Sequence, residues 1–246
     1  MHEVAPYDNF SMTYGLCGNC HAAHPGQFSH EVIEHAHFIR KILRTLRDAG
    51  RREDFETACR VVDEAISSKC RPTDILIGIL SPLLYEVGEE WKRGVLSVEA
   101  EQRFTAFSEK VIELVETRIG AEPSSLVPAN TTLFLMNAPG NRHLLALRVI
   151  SLWLKDRGAE VRIVPDGIDQ NELLQCIAAE RPKYLLISMA TLNQRAHVTE
   201  IAKRVLSLHQ DVRPKIVVGG YPVKTAIIDA IPGAELLSNI DALHLV

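Results

Sequence analysis

The chain has 246 residues, of which 46% are hydrophobic and 24% charged, and its formal net charge is −4. This length and apolar content are enough for two modest hydrophobic cores. The acidic balance and the lack of a run of Lys or Arg argue against direct binding of nucleic acid. The sequence contains neither an apolar leader nor a run of 18 apolar residues, so we expect a cytoplasmic protein that does not enter a membrane.

Residues 1–30 are rich in cysteine and histidine, with Cys17, Cys20, His21 and His24 close together. Cys-x-x-Cys-His is the attachment pattern of c-type haem. Two thiolates and two imidazoles are also ligands that zinc prefers. Three interpretations stay open: a zinc or other metal site, a haem site, and a tail that binds nothing. The odd total of five cysteines favours a reducing compartment over a disulfide framework.

Apolar residues recur at helical spacing through residues 31–120, which predicts a bundle of four or five helices. We expect Thr73 to cap the helix that follows Pro72. A proline at position 82 should kink or break that helix, because it lacks an N–H group. The last helix of the bundle is predicted from about Ser97 to Ile119.

After a linker at 121–130, the region 131–246 alternates between strand and helix patterns. The predicted strands are 131–136, 159–164, 184–187, 215–219 and 234–237, and the predicted helices are 143–157, 169–180, 194–209 and 222–230. Strands separated by helices of this length predict a parallel sheet with helices on both faces. The expected fold class is α/β, with an N-terminal helical bundle followed by a Rossmann-like or flavodoxin-like domain.

The string Asn141-Arg142-His143-Leu144-Leu145-Ala146 follows the first predicted strand and opens a helix. This position puts His143 at the carboxyl end of the sheet, where open α/β folds bind ligands. The string resembles the Asp-x-His-x-x-Gly pattern of cobalamin-binding domains, with Asn141 at the Asp position and Ala146 at the Gly position. The resemblance implies that His143 is the lower cobalt ligand and that the Asn141 oxygen accepts a hydrogen bond from its imidazole.

Three further elements follow in the order found in the cobalamin-binding domain of methionine synthase, methylmalonyl-CoA mutase and the B12-dependent light regulators. They are Arg157–Val161 at the second strand, Ser188 after the third, and the pair Gly219 and Gly220 after the fourth. The resemblance covers about Thr131 to the C-terminus. It implies that the serine contacts the nucleotide tail of the cofactor and that the glycine pair lines the slot for that tail.

In the helical half, the segment from Glu90 to Gln102 resembles the Trp-x9-Glu-His signature of light-sensing cobalamin regulators of the CarH type. Trp91 and Glu101 match that signature in register. The resemblance implies a helical cap over the upper face of the corrin ring, with Trp91 beside the upper ligand. Gln102 replaces the histidine, and because a glutamine amide is not a competent nitrogen ligand for cobalt, we do not expect a bis-His state at this position.

The changes at Asn141 and Ala146 leave haem as a rival cofactor, since haem has no nucleotide tail and His143 could bond its iron. Ser188, Gly219 and Gly220 favour cobalamin, because a haem protein has no use for them. A domain that binds neither cofactor and serves as an interaction scaffold is the third interpretation.

We therefore expect a cobalamin-binding light or redox sensor that regulates a protein partner such as a transcription factor. The layout resembles the antirepressors of photosynthesis genes, which lack a DNA-binding domain of their own. The alternatives are a haem-based redox or gas sensor on the same fold and a corrinoid carrier of methyl groups, although Trp91 and Glu101 count against a carrier. No catalytic triad or phosphate-binding loop is recognisable, so an enzyme is not expected, and a homodimer is left open.

Overall fold

The computed structural model describes residues 30–120, 128, 131–243 and 245. The chain divides into two compact units, with the boundary between Ile119 and Gly120. Cys17, Cys20, His21 and His24 lie outside the described residues. Within the described ranges, no helix combines the length and the apolar content needed to cross a lipid bilayer.

Every regular element that the structure describes in the first unit is a helix. Its helices are α1 (His30–Arg52), α2 (Phe55–Ser67), α3 (Pro72–Ile75), α4 (Ser81–Lys92) and α5 (Val98–Glu116), with a π-helical turn at Leu76–Leu80 between α3 and α4. Asp54 caps α2 by accepting the N–H of Thr57, and Ser97 caps α5 by accepting the N–H of Ala100. The apolar faces meet in a core whose fully buried members include Ile42, Leu46, Leu76, Leu80, Leu83 and Ile112.

One predicted detail of the bundle is wrong and a second is wrong in part, since the predicted break at Pro82 is absent whereas a kink there stays a prediction. Thr73 is not the N-cap of its helix, because Pro72 already occupies a position at the helix start, Arg71 is the cap residue, and Thr73 is fully buried. The chain also stays helical through Pro82. The wider π-helical turn comes just before this proline, and the Ser81 hydroxyl donates to the Leu76 carbonyl oxygen at 2.9 Å. A local change of helix type thus accommodates the proline without a break.

The second unit is a five-stranded parallel sheet in the order β2-β1-β3-β4-β5. Its strands are β1 (Thr132–Asn137), β2 (Glu160–Ile163), β3 (Tyr184–Met189), β4 (Lys215–Gly220) and β5 (Glu235–Leu236). The longer helices are α6 (Leu144–Asp156), α7 (Gln170–Glu180) and α8 (Arg195–Leu206). The central strands β1 and β3 are almost wholly buried, as expected for a sheet covered on both faces. The predicted fold class is confirmed, and this strand order is the flavodoxin-like one.

The helix predicted at 222–230 is much shorter in the structure. The helix α9 spans only Tyr221–Lys224. The backbone of Ala226 has a φ of 54°, in the left-handed region, which cannot continue a right-handed helix. Ile228, in the connection that follows, is still buried in the core, which explains why the apolar pattern of this segment predicts a helix.

Candidate functional site

The order in which strands are added to the sheet reverses between β1 and β3. The chain leaves β1 for β2 on one side and leaves β3 for β4 on the other, so the carboxyl ends of β1 and β3 flank a crevice. Asn137 ends β1 and pairs in register with Ser188 of β3, which in turn pairs with Gly219 of β4. The topology therefore places these three residues side by side at the edge where folds of this kind bind ligands.

Asn141 organises the loop that follows β1. Its side chain is buried, and its Nδ2 donates to Asn137 Oδ1 and to the Ser188 carbonyl oxygen, each at 3.0 Å. Its Oδ1 accepts the backbone N–H of His143 at 3.0 Å. One amide thus joins two strands to the start of α6. The oxygen that was expected to accept from the imidazole of His143 instead holds the backbone of the same residue.

His143 is the N-cap residue of α6, but its side chain makes no capping hydrogen bond. The residue is exposed, and its imidazole has no hydrogen-bond partner among the described residues. The backbone is therefore fixed by Asn141 while both ring nitrogens stay available. A neutral imidazole in this state is a competent ligand for a transition metal.

Asn137 is a residue of the site that the sequence patterns do not predict. Its side chain is 4% exposed, and its Nδ2 is a buried donor without a partner. The orientation of the amide is set by Asn141, whose own Oδ1 already accepts from His143, so its Nδ2 must face the Asn137 oxygen. The signal in the sequence was a polar residue at the end of an apolar strand, a position where a buried donor needs a partner.

The glycine pair at the end of β4 is required by the backbone itself. Gly220 has a φ of 104° and a ψ of −172°, a conformation open almost only to glycine. A Cβ atom at this position would lie 2.0 Å from the Met189 carbonyl oxygen. At Gly219 the corresponding atom would lie 3.2 Å from the Leu237 carbonyl oxygen. The two glycines allow β4 and its neighbours to approach closely, whether or not a ligand lies beside them.

A cavity of about 490 Å³ opens between the loop after β1 and the loop after β2. Asn137 and Asn141 line it, together with Pro165 and Asp166 from the second loop. Nearby, Asp169 caps α7 by accepting the N–H of Asn171 at 2.7 Å. This bond, with a weaker one from Glu172, lowers the pKa of the Asp169 carboxyl. Partial burial of Lys224, in the short helix after Gly220, lowers the pKa of its amine.

In the helical unit, Trp91 lies at the end of α4 with 46% of its surface exposed. Val95 and Val98, in the connection to α5 and its first turn, are also exposed apolar residues. Glu101 Oε1 accepts a hydrogen bond from the Thr105 hydroxyl at 3.0 Å, and Gln102 is exposed. Trp91 is thus not part of the bundle core. Its contact with a cofactor stays a prediction.

The part of the chain that the structure describes contains no group of three or more His, Cys, Asp or Glu side chains that could hold a metal ion. A metal bound at the sheet edge would therefore depend on His143 and on a ligand set supplied by a cofactor. The proposed site at Cys17, Cys20, His21 and His24 lies outside the described residues and is not tested.

Comparison with known proteins places the family match in the helical unit. Residues 42–116, from within α1 to the end of α5, match a family model described as a B12 binding domain. Comparison with curated proteins gave no match.

Three solved structures resemble the chain over most of its length. The monomethylamine corrinoid protein of Methanosarcina barkeri has a TM-score of 0.64 and 16% identity, covering 81% of this chain and 93% of that one. A cobalamin-binding protein from Desulfitobacterium hafniense has a TM-score of 0.44 and 14% identity, covering 80% and 92%. The methanol:cobalamin methyltransferase complex MtaBC from Methanosarcina barkeri has a TM-score of 0.39 and 15% identity, covering 92% and 86%. The first of these establishes a shared fold.

Proposed function

We propose that this protein binds a corrinoid at the carboxyl edge of its sheet, with His143 as the ligand to cobalt. The observation that carries the proposal is the unpaired imidazole of His143, whose backbone is anchored at the topological switch point by Asn141. The B12 binding domain match over the helical unit and the fold shared with a corrinoid protein support the same cofactor.

Other residues of the edge fit such a cofactor. The unpaired Nδ2 of Asn137 is the kind of buried group that a ligand or an ordered water satisfies. Ser188 stands next to it in register, and Gly219 stands next to Ser188 on the following strand. A bound corrinoid supplies a cobalt with an exchangeable upper ligand. His143 would bind the cobalt, and Asn137 and Ser188 would line the edge of the sheet that receives the cofactor.

We propose further that the protein is a light or redox sensor that acts on a protein partner such as a transcription factor. The exposed Trp91, which together with Glu101 matches the light-regulator signature, supports this role. Its aromatic surface is not part of the bundle core. The exposed Gln102 can form a hydrogen bond with a ligand, but its amide cannot itself bind cobalt.

A methyl carrier is the second candidate. It is favoured by the shared fold with the monomethylamine corrinoid protein, of which 93% is covered. The two roles differ in what happens at the upper face. A sensor needs a change of upper ligand that alters partner binding, whereas a carrier needs a methyl group that a second protein donates and another removes.

Reconstitution tests the cofactor and the role together. The full chain is incubated separately with adenosylcobalamin, methylcobalamin, hydroxocobalamin and haem, passed through gel filtration, and examined by absorption spectroscopy in the dark and after illumination. We expect a retained corrin spectrum, and a sensor should change it on illumination or reduction. A retained Soret band with no corrin would replace the cobalamin proposal with the haem alternative.

The variant His143→Ala assigns the ligand. It should lose the retained corrin while its free energy of unfolding stays within about 0.5 kcal/mol of the parent, because the side chain is exposed and caps nothing. The matched control is His197→Ala, which removes another exposed histidine of the same unit. Equal corrin retention by both variants would refute His143 as the ligand.

A further inference from the structure

The amino edge of the sheet, opposite the proposed cofactor site, carries a second concave feature. It is a groove of about 380 Å³ at the starts of β3 and β4. Its charged lining residues are Arg181, Lys183, Asp211, Arg213 and Lys215. Four cations therefore face one carboxylate, in a chain whose formal net charge is −4. We refer to these residues as the basic groove.

Local ion pairs neutralise only part of the basic groove. Lys215 Nζ lies 2.6 Å from Glu235 Oε2. Asp211 Oδ2 lies 3.3 Å from His209 Nδ1, but this nitrogen accepts the backbone N–H of Asp211, so the contact does not neutralise the carboxylate. Within the described residues, the side chains of Arg181 and Lys183 have no ion-pair or hydrogen-bond partner. Because Glu235 neutralises Lys215, the cations Arg181, Lys183 and Arg213 remain with the single carboxylate of Asp211, which leaves the groove with a net positive charge.

A third cation is held in place by the backbone. Arg213 Nη2 donates to the Leu208 carbonyl oxygen at 2.8 Å, which orients the guanidinium and leaves its other N–H groups for a ligand. The groove thus combines one tethered guanidinium with two free cationic side chains.

The backbone of Arg181 adds an independent observation. It ends α7 with φ 48° and ψ 55°, in the left-handed region that glycine or asparagine ordinarily occupies at a helix C-terminus. The negative end of the helix dipole favours a cation here, but that effect does not reach Lys183, Arg213 and Lys215, which come from the starts of two strands. The turn at Arg181 brings the end of α7 beside the three cations that come from the strand starts.

We propose that the basic groove binds the phosphate group of a small metabolite. Guanidinium and ammonium groups recognise phosphate by charge-assisted hydrogen bonds, and an arginine can do so through two parallel bonds. The volume lies in the range of small-ligand pockets rather than of protein interfaces. The site is at the opposite edge from His143, so the proposal is independent of the identity of the cofactor.

Calorimetric titration of the full chain with inorganic phosphate and with pyrophosphate tests the proposal. We expect saturable binding that is tighter for pyrophosphate and weakens as salt is raised. The variant Arg181→Gln/Lys183→Gln should weaken it by about tenfold or more, since each lost charge-assisted bond is worth roughly a factor of ten. The matched control, Lys155→Gln/Lys203→Gln, removes the same net charge at two exposed lysines outside the groove and should change the affinity by less than about twofold.

The variant Arg181→Gly separates binding from folding. Glycine relieves the left-handed backbone, so this variant should unfold at a higher temperature than the parent while it binds pyrophosphate more weakly. No saturable binding of either anion, or equal weakening by the two double variants, would overturn the proposal. Binding of an acidic peptide such as oligoglutamate without binding of phosphate would also overturn it, in favour of a protein-docking surface.

Discussion

Asn141 holds His143 through a hydrogen bond from the backbone N–H of His143 to the Asn141 side-chain oxygen, at 3.0 Å. The same amide donates twice through Nδ2, to the Asn137 oxygen and to the Ser188 carbonyl oxygen. Both ends of the side chain are therefore in use. The cobalamin-binding pattern has an aspartate at this position, but in this chain a carboxylate would face two acceptors with no hydrogen to donate.

The variant Asn141→Asp should therefore be less stable than the parent at neutral pH, by roughly 1–3 kcal/mol, which is the cost of leaving buried polar groups unpaired. The surrounding acceptors should raise the pKa of the introduced carboxyl, because its protonated form can donate to the Ser188 carbonyl oxygen. A group with a raised folded pKa destabilises the fold increasingly as pH rises above its unfolded value of about 3.9. Urea unfolding at several pH values measures the deficit.

The control for that experiment is Asn141→Ala, which removes all three side-chain hydrogen bonds, including the one from the His143 N–H group, without adding a titratable group. Its deficit relative to the parent should be nearly independent of pH. A deficit of Asn141→Asp that is small, or that does not grow between acidic and neutral pH, would show that the acceptors around this position can rearrange.

The glycine at position 220 gives a second prediction. Gly220→Ala should destabilise the sheet unit by about 3 kcal/mol or more, because the added Cβ meets the Met189 carbonyl oxygen and the backbone conformation is strained as well. Gly140→Ala is the matched control. Gly140 also has a positive φ, 83°, but open space surrounds its Cβ position, so only the conformational cost of about 1 kcal/mol applies. Similar losses in the two variants, measured by urea unfolding, would contradict the close approach at Gly220.

The fold was predictable because its signals are local. The strand starting at Thr132 and the helix starting at Leu144 were each placed within one residue, since a buried parallel strand is a continuous apolar run and the following helix has its own period. The prediction of a helix at 222–230 was wrong for a related reason. Val223 and Ile228 are buried, but the left-handed backbone at Ala226 ends the helix, and an alanine gives no sequence signal for that conformation.

Only those features of the site that depend on the local sequence could be predicted. The position of His143 at the edge of the sheet follows from the strand and helix around it. The hydrogen bonds of Asn141 could not be predicted, because they depend on Asn137 and on the Ser188 backbone, which a register between two strands brings together. The basic groove is a similar case, since its cations come from the end of α7 and the starts of two strands and form no run in the sequence.

The pH dependence of α7 can be predicted from its cap. Backbone N–H groups, that of Asn171 first, lower the pKa of the Asp169 carboxyl in the folded state. A lowered folded pKa contributes stability at pH values above the unfolded pKa of about 3.9, and this contribution is lost as the pH falls through the folded value. Asp169→Asn keeps a capping side chain but cannot titrate.

The parent should therefore be more stable than Asp169→Asn at pH 6, and the two should converge as the pH falls below about 4. Urea midpoints across this range provide the measurement. Other carboxyls with lowered pKa values, such as those of Asp54 and Glu99, are common to both proteins and cancel in the difference. A constant difference at all pH values would show that the cap does not depend on the charge.

Trp91 provides the last prediction, which separates a ligand-binding role from a structural one. Because 46% of its surface is exposed, Trp91→Ala should cost only about 1–2 kcal/mol of unfolding free energy. Phe104→Ala, at a position that is 2% exposed in the same unit, should cost about 3–5 kcal/mol.

If Trp91 contacts the upper ligand of a bound corrinoid, its removal should nevertheless shift the absorption spectrum and change the preference between adenosylcobalamin and methylcobalamin. Val98→Ala is the control for the exposed surface, since it truncates a half-exposed apolar residue nearby and should change neither property. An unchanged spectrum and preference in Trp91→Ala would assign the tryptophan to contacts other than the cofactor and would remove the main support for the sensor over the carrier.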